Sequence, residues 1–287
     1  MSRLKNIFSR PKEEMSRTVL WVFGLPLIYV LYFVLSLFVP SFGSSKTALM
    51  LFDTTLYVLL LVSFLLVSKY LLKTVFSSFL SPDGSEGKSS GVFRINLFLK
   101  GLISVVIVEV LLTGVEMFFN REDFSFTFAS EGFNFQWLLL LILLFVAALD
   151  EELLFRAYIG HFSDMKCPET IKGKFILSSV SGLLFALSHF MNPESNGNMA
   201  IWYMASYFVL GFSFMMFYIQ TGSLEFPLGV HLGNNLVSAF FCGYSGSVLS
   251  YTNPLFTQTT ISNPSLILIE AVLAMTACAL VIKKKDN

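Results

Sequence analysis

The chain has 287 residues, 55% of them hydrophobic and only 13% charged, where a soluble domain carries about a quarter charged. Its 19 basic and 19 acidic residues cancel, which removes any bulk electrostatic argument for nucleic acid as a partner. The cysteines, Cys167, Cys242 and Cys278, are scattered and odd in number, so they make neither a disulfide framework nor a CxxC metal knuckle.

In chain order, the charge deficit resolves into apolar runs of roughly 20 residues, the length that crosses a bilayer core of about 30 Å as a helix. Residues 1–17 form a charged tail. The run from Thr18 to Val39 is too long for a signal-peptide core and no A-x-A-like site follows it, so it reads as a retained signal anchor. Seven further spans are expected at 48–72, 97–119, 136–158, 174–191, 200–220, 224–243 and 263–282. Pro40, the Ser81-Pro82-Asp83-Gly84 stretch, Asn192-Pro193 and the Thr221-Gly222-Ser223 turn punctuate the connections. The Ser/Gly-rich residues 81–91 read as a flexible linker, and residues 120–135 as a segment lying at the outer interface with its Phe side chains among the headgroups.

The expected fold class is all-α, a polytopic integral membrane protein of about eight transmembrane helices with both termini inside. The positive-inside rule supports this layout, because it uses Lys and Arg rather than hydropathy. With the N-terminus inside, only Lys46 and Arg121 of the 19 basic residues fall outside. The chain divides into the basic tail 1–17, helices 1–3 with their connections at 18–130, a core of helices 4–7 at 131–243, and an outer loop with the last helix at 244–287.

Ionisable groups inside a span are costly and are functional candidates by default. Glu109, Glu116 and Glu270 are isolated carboxylates that read as structural, paired or protonated against neighbouring helices. Glu225 sits at a helix start, where a carboxylate complements the helix dipole. The run Asp150-Glu151-Glu152 followed by Arg156 is different. Adjacent acids resist ionising together, which suits one of them to accept a proton at neutral pH. Arg156 lies four residues after Glu152 on the same helical face, so an intrahelical pair holds Glu152 charged. Glu151, about 100° around the helix, is left for chemistry. The same acids would also serve to mark a helix end at the interface.

Two of the three histidines lie inside apolar spans: His189 after Phe185, and His231 four residues before Asn235 on one helical face. His161 lies in the charged inner connection and reads as solvated. A single His in a bundle is commonly an interhelical hydrogen-bonding group. Two of them with an Asn and a pair of Glu, from separate helices, make a plausible water-activating site.

The ordered set Glu151-Glu152-x-x-x-Arg156, Phe185-x-x-x-His189 and His231-x-x-x-Asn235, in successive membrane helices, resembles the three motifs of the CAAX-protease and bacteriocin-processing (CPBP, or Abi) intramembrane endopeptidases. The resemblance covers about residues 136–240. It implies an intramembrane protease in which Glu151 and His189 position and deprotonate a water, and His231 and Asn235 face the carbonyl oxygen as it becomes negative. Glu152, Arg156 and Phe185 would be supporting residues. The family has been discussed both as metal-dependent and as glutamate-dependent. There is no HExxH zincin motif, and Asn is an unusual zinc ligand, so the expectation is no cofactor, with a divalent metal such as zinc on Glu151, His189 and His231 left open. The implied substrates are a prenylated CAAX tail or other membrane-associated protein terminus, or a bacteriocin-type peptide processed or countered in self-immunity. The expected partners are such a substrate and the lipid bilayer, and the expected location is a bacterial cell membrane, or the ER membrane in a eukaryotic host. Two other readings are a non-catalytic immunity or scaffold protein of the same fold, and a proton-coupled transporter.

Overall fold

The computed structural model of the chain describes residues 12–74, 76–80, 93–127, 135–162, 170–249, 252 and 254–283. The 81–91 linker, Cys167, the side chain of His161 and most of the two terminal tails lie outside the described residues. Every apolar stretch expected to be helical is a helix: α1 Lys12–Ser36, α2 Lys46–Tyr70, α4 Ile95–Phe119, α5 Phe135–Glu152, α7 Ile171–Ser188, α8 Ala200–Thr221, α9 Glu225–Leu236 and α10 Ser265–Lys283. Two short helices, α3 Phe76–Leu80 and α6 Ile159–Phe162, lie in connections. Among the described residues, five helical stretches are by length and composition apolar enough to cross a membrane: Lys46–Tyr70, Ile95–Phe119, Ile171–Ser188, Gly197–Thr221 and Ser265–Ile282. The apolar part of α1, Leu20–Ser36, is shorter. Large apolar side chains such as Phe33, Leu111, Phe118 and Leu187 stand exposed on the helix surfaces. In water such a surface would be a liability, and in lipid it is the solvent-facing surface. The chain is a helical membrane protein.

Three local departures from plain helix matter for the site. Immediately after Glu152 the α5 helix widens into π-helical turns over Leu153–Tyr158, and after α9 a second π-helical segment covers Val237–Phe241. Each begins within two residues of a candidate site group, and such bulges are frequent at functional sites because they re-aim side chains. The third departure adds a small β element to a chain that is otherwise helical, as the all-α expectation has it. A small three-stranded sheet, β1 Phe124–Phe126, β2 Cys242–Tyr244 and β3 Phe256–Gln258, is arranged β1-β3-β2. The β1–β3 pair is antiparallel, with Ser125 opposite Thr257, and β2–β3 is parallel, with Gly243 opposite Thr257. The described part of the 120–135 segment therefore contributes a strand rather than only an interfacial skirt. Asp123 fastens it: its carboxylate accepts from Thr260 Oγ1 (2.6 Å), Ser262 N (2.9 Å) and Ser262 Oγ (2.7 Å).

Helix order in space follows from small residues. The α8–α9 connection turns on Gly222, whose φ of +60° is the left-handed conformation that ends a helix and favours glycine. The α9 helix then packs chiefly along α4. Their approach depends on Gly229, where an added Cβ would collide with the Phe98 carbonyl oxygen; small residues at such crossings let membrane helices pack backbone to backbone. Glu225 stands in the first turn of α9, the helix-start position expected of it, and there also accepts from Arg94 N (3.0 Å) and pairs with the Arg94 guanidinium (3.6 Å). Elsewhere α7 packs on α8, α10 on α8 and α4, and α2 on α1 and α5.

Candidate active site

The α5 helix is the spine of the site. Glu152 and Arg156 are both fully buried and meet at 3.1 Å, as their four-residue spacing anticipates. The contact is close but not aligned as a hydrogen bond, and the guanidinium completes its surroundings with aromatic faces, 4.6 Å from the Phe185 ring and 4.9 Å from Phe214. A buried cation held by one carboxylate and two ring faces recovers part of its desolvation cost through the rings' quadrupoles. The same Glu152 oxygen, Oε1, also lies 2.8 Å from His231 Nδ1. A carboxylate can only accept, so His231 carries its proton on Nδ1 and turns Nε2 the other way.

What Nε2 of His231 faces is Glu151, whose Oε2 lies 3.6 Å away. His189 comes to the same oxygen from the opposite helix, its Nε2 at 3.9 Å. Its Nδ1 is 2.8 Å from the carbonyl oxygen of Phe185, so this ring too is protonated on Nδ1 with an open Nε2. Two imidazole lone pairs and a carboxylate oxygen thus converge at distances too long for direct bonding and suited to a bridging water. The α7 helix starts at Ile171, earlier than the expected 174, and His189 caps its end. A bond from Ser181 Oγ to the Phe155 carbonyl (2.9 Å) pins α7 to the π-helical turns that follow α5.

The convergent set is the donor chemistry that zinc accepts from histidines oriented by a second hydrogen bond. As spaced here it does not make a cage: among the described residues no group of three or more His, Cys, Asp or Glu side chains is gathered to hold a metal ion. Asn235 stands apart from these contacts; its Oδ1 accepts from Asn234 Nδ2 at 3.4 Å, which leaves its own Nδ2 hydrogens for another oxygen. Glu151, His189, His231 and Asn235 all line one cavity of about 780 Å³. Its walls include Leu143, Leu144 and Ala147 of α5 and Tyr244 and Gln258 of the sheet.

Several neighbours escape sequence reasoning. Phe214 stacks on His231 at 5.1 Å and Tyr207 on His189 at 4.3 Å. Glu194, in the loop after α7, is buried and accepts from Tyr207. Aromatic residues are too numerous in these helices to single out two, and a loop glutamate ordinarily faces water. Asp150 is buried, with no bonding partner among the described residues for either carboxylate oxygen, and is not among the cavity's lining residues. Glu109, Glu116 and Glu270 also line the cavity, and Glu116 accepts from Gln258 Nε2 at 2.9 Å.

A helical membrane protein with a Glu–His–His group, His231 buried and Glu151 and His189 partly exposed, lining one cavity is the class that this fold and site define. Residues 133–237, the stretch holding all three motifs, match the family model described as "Type II CAAX prenyl endopeptidase Rce1-like". The chain is also 28% identical over 196 residues to "Uncharacterized protein YyaK" of Bacillus subtilis (strain 168), an alignment covering 68% of this chain and 61% of that protein. No solved structure matches the chain.

Proposed function

We propose that the protein is an intramembrane endopeptidase that hydrolyses a peptide bond by a water held between Glu151, His189 and His231. The observation that carries this reading is that both imidazoles spend their N–H groups away from the cavity, on Phe185 O and Glu152, and turn their Nε2 atoms to one Glu151 oxygen. A water there donates one hydrogen to Glu151 and the other to a histidine. Attack on the scissile carbonyl carbon transfers the first proton to Glu151, and return of that proton to the amine nitrogen lets the C–N bond break. In the neutral ring His231 has no N–H to spare for the oxyanion and becomes a donor only after taking a proton. We therefore give the donor role to the Asn235 amide, with His231 assisting when charged. Glu152, Arg156 and Phe185 orient this group, and no step needs a metal.

The finer layout belongs to the same proposal. Eight crossings with both termini inside put all but two of the 19 basic residues on the inner side, and the relative from Bacillus subtilis favours a bacterial cell membrane. The substrate is a membrane-associated peptide or protein terminus, of CAAX or bacteriocin type. The test is cleavage of a reporter panel, prenylated CAAX peptides and double-glycine leader peptides, by purified protein. Cleavage of one class that is lost in His231→Ala and His189→Ala supports the reading and names the substrate. Cleavage of neither class by wild type shifts weight to a binding or immunity role.

A further inference from the structure

His189 is the one member of the convergent group without a helical backbone beneath it. It is the residue that ends α7, with φ −95° and ψ 2°, so the helix does not fix the direction of its side chain. The ring packs instead into the corner made by two aromatic rings that also meet each other at 6.4 Å. Phe185, buried in the core, lies tilted against it at 4.5 Å, and Tyr207 from α8 stacks on it at 4.3 Å with an interplanar angle of 29°.

Tyr207 is itself tied down. Its hydroxyl donates to Glu194 Oε1 at 2.5 Å. Glu194 sits in the 3-10 turn Pro193–Ser195, in a polar loop where a carboxylate ordinarily faces water, yet it is only 6% exposed. Its other bonds explain why: Oε1 also accepts from Asn192 Nδ2 (3.1 Å) and Oε2 from the backbone N of Val248 (2.9 Å). One carboxylate thus joins the loop after α7, the α8 helix and the segment after β2, and its geometric effect ends on the plane of His189.

We propose that Tyr207 is a positioning residue for His189, and that Glu194 acts through Tyr207. The proposal rests on the reading that His189 Nε2 holds the attacking water. Tyr207 sets the ring plane; the bond to Phe185 O sets the tautomer. Together they aim one lone pair at the point that Glu151 Oε2 also faces. Misplacement of a reacting group by about 1 Å costs on the order of 100-fold in rate, so the stacking partner governs turnover more than binding.

The test uses the full-length protein in detergent with two readouts. The first is steady-state cleavage of whichever reporter the wild type accepts, for Tyr207→Phe, Tyr207→Leu, Glu194→Gln and the Tyr207→Phe/Glu194→Gln double variant. The expected result is a kcat reduced roughly 3- to 10-fold in Tyr207→Phe and roughly 10- to 100-fold in Tyr207→Leu, with KM within about 2-fold. The double variant should be no worse than its poorer parent, as for two residues acting in series. The second readout is independent of activity: imidazole 15N NMR, with His189 assigned through His189→Gln. Wild type should show a single Nδ1-protonated ring and Tyr207→Phe should keep it; in Tyr207→Leu the ring, no longer held in plane, should swing off Phe185 O and show tautomer exchange. An unchanged His189 signal in Tyr207→Leu overturns the proposal, as does a kcat that follows only the loss of melting temperature. If the wild type cleaves no reporter, the proteolytic reading fails and the NMR readout alone decides the positioning.

Discussion

His231 and Glu152 are joined at 2.8 Å, Nδ1 to Oε1, although 79 residues separate them in the chain. This one bond sets the tautomer of His231 and places its open nitrogen toward Glu151. It also makes Glu152 the shared partner of two groups, because Arg156 pairs with the same oxygen at 3.1 Å.

Removing the cation should therefore be felt as instability before it is felt as lost chemistry. Arg156→Ala leaves the fully buried Glu152 with His231 alone, and breaking a buried pair by deleting one partner costs about 3–5 kcal/mol. The expected outcome is a large drop in melting temperature in detergent, with a smaller drop for Arg156→Lys, which keeps the charge but loses the planar contact with Phe185 and Phe214. Thermal unfolding monitored by intrinsic fluorescence checks this.

Gly229 tests the helix approach that carries His231. Gly229→Ala puts a Cβ against the Phe98 carbonyl and should force α9 away from α4. Overpacking of this kind typically costs about 1–3 kcal/mol. The variant should lose activity while retaining membrane insertion, measured by cleavage together with detergent-resistant folding. An equal change at the open Gly114, where an added Cβ meets nothing within 4 Å, should be nearly silent.

Much of this was legible in the residues themselves. The apolar runs declare the helices because lipid leaves the backbone no other way to bond, and the Glu152–Arg156 spacing declares a pair because four residues close one helical turn. Glu151 was separable from Glu152 for the same reason. What was not legible lies in tertiary geometry. The π-helical turns after Glu152 and Asn235 have no compositional mark. The strands at 124–126, 242–244 and 256–258 are three residues each, too short for a period of two to declare itself. Tyr207 and Glu194 matter only through what folding stacks on them.

Acid should loosen the small sheet before the bundle. Asp123 lies outside the membrane-spanning helices, and the donors Thr260 and Ser262 hold its carboxyl below its ordinary value. A depressed carboxylate stabilises the fold above the unfolded value, about 3.9 for Asp, and that contribution is lost as the pH falls from there through the lower folded value. Hydrogen exchange of residues 256–262 should therefore rise between about pH 4 and the acid limit. In Asp123→Asn the same amides should exchange faster already at neutral pH, with little further dependence on acid. An unaltered pH profile in that variant would remove Asp123 as the cause.

A chelator should leave activity intact. Because the mechanism hands the transferred proton of the water to Glu151 and holds the other hydrogen against a histidine, dialysis against EDTA or 1,10-phenanthroline should change kcat/KM by less than about 2-fold, a margin small beside the 10²–10⁴-fold typical of a lost acid–base group. Loss of activity that zinc restores would replace the water-centred account with a metal-centred one.

The most direct test of the central claim is the cleavage rate of Glu151→Ala beside wild type, on the best reporter, with both proteins matched for melting temperature. The account predicts a loss of 10³-fold or more, since the residue is assigned both the abstraction and the return of the proton, and each such transfer contributes about 10²–10⁴-fold. A Glu151→Ala enzyme that still cleaves within about 10-fold of wild type, against that expected range, would contradict it.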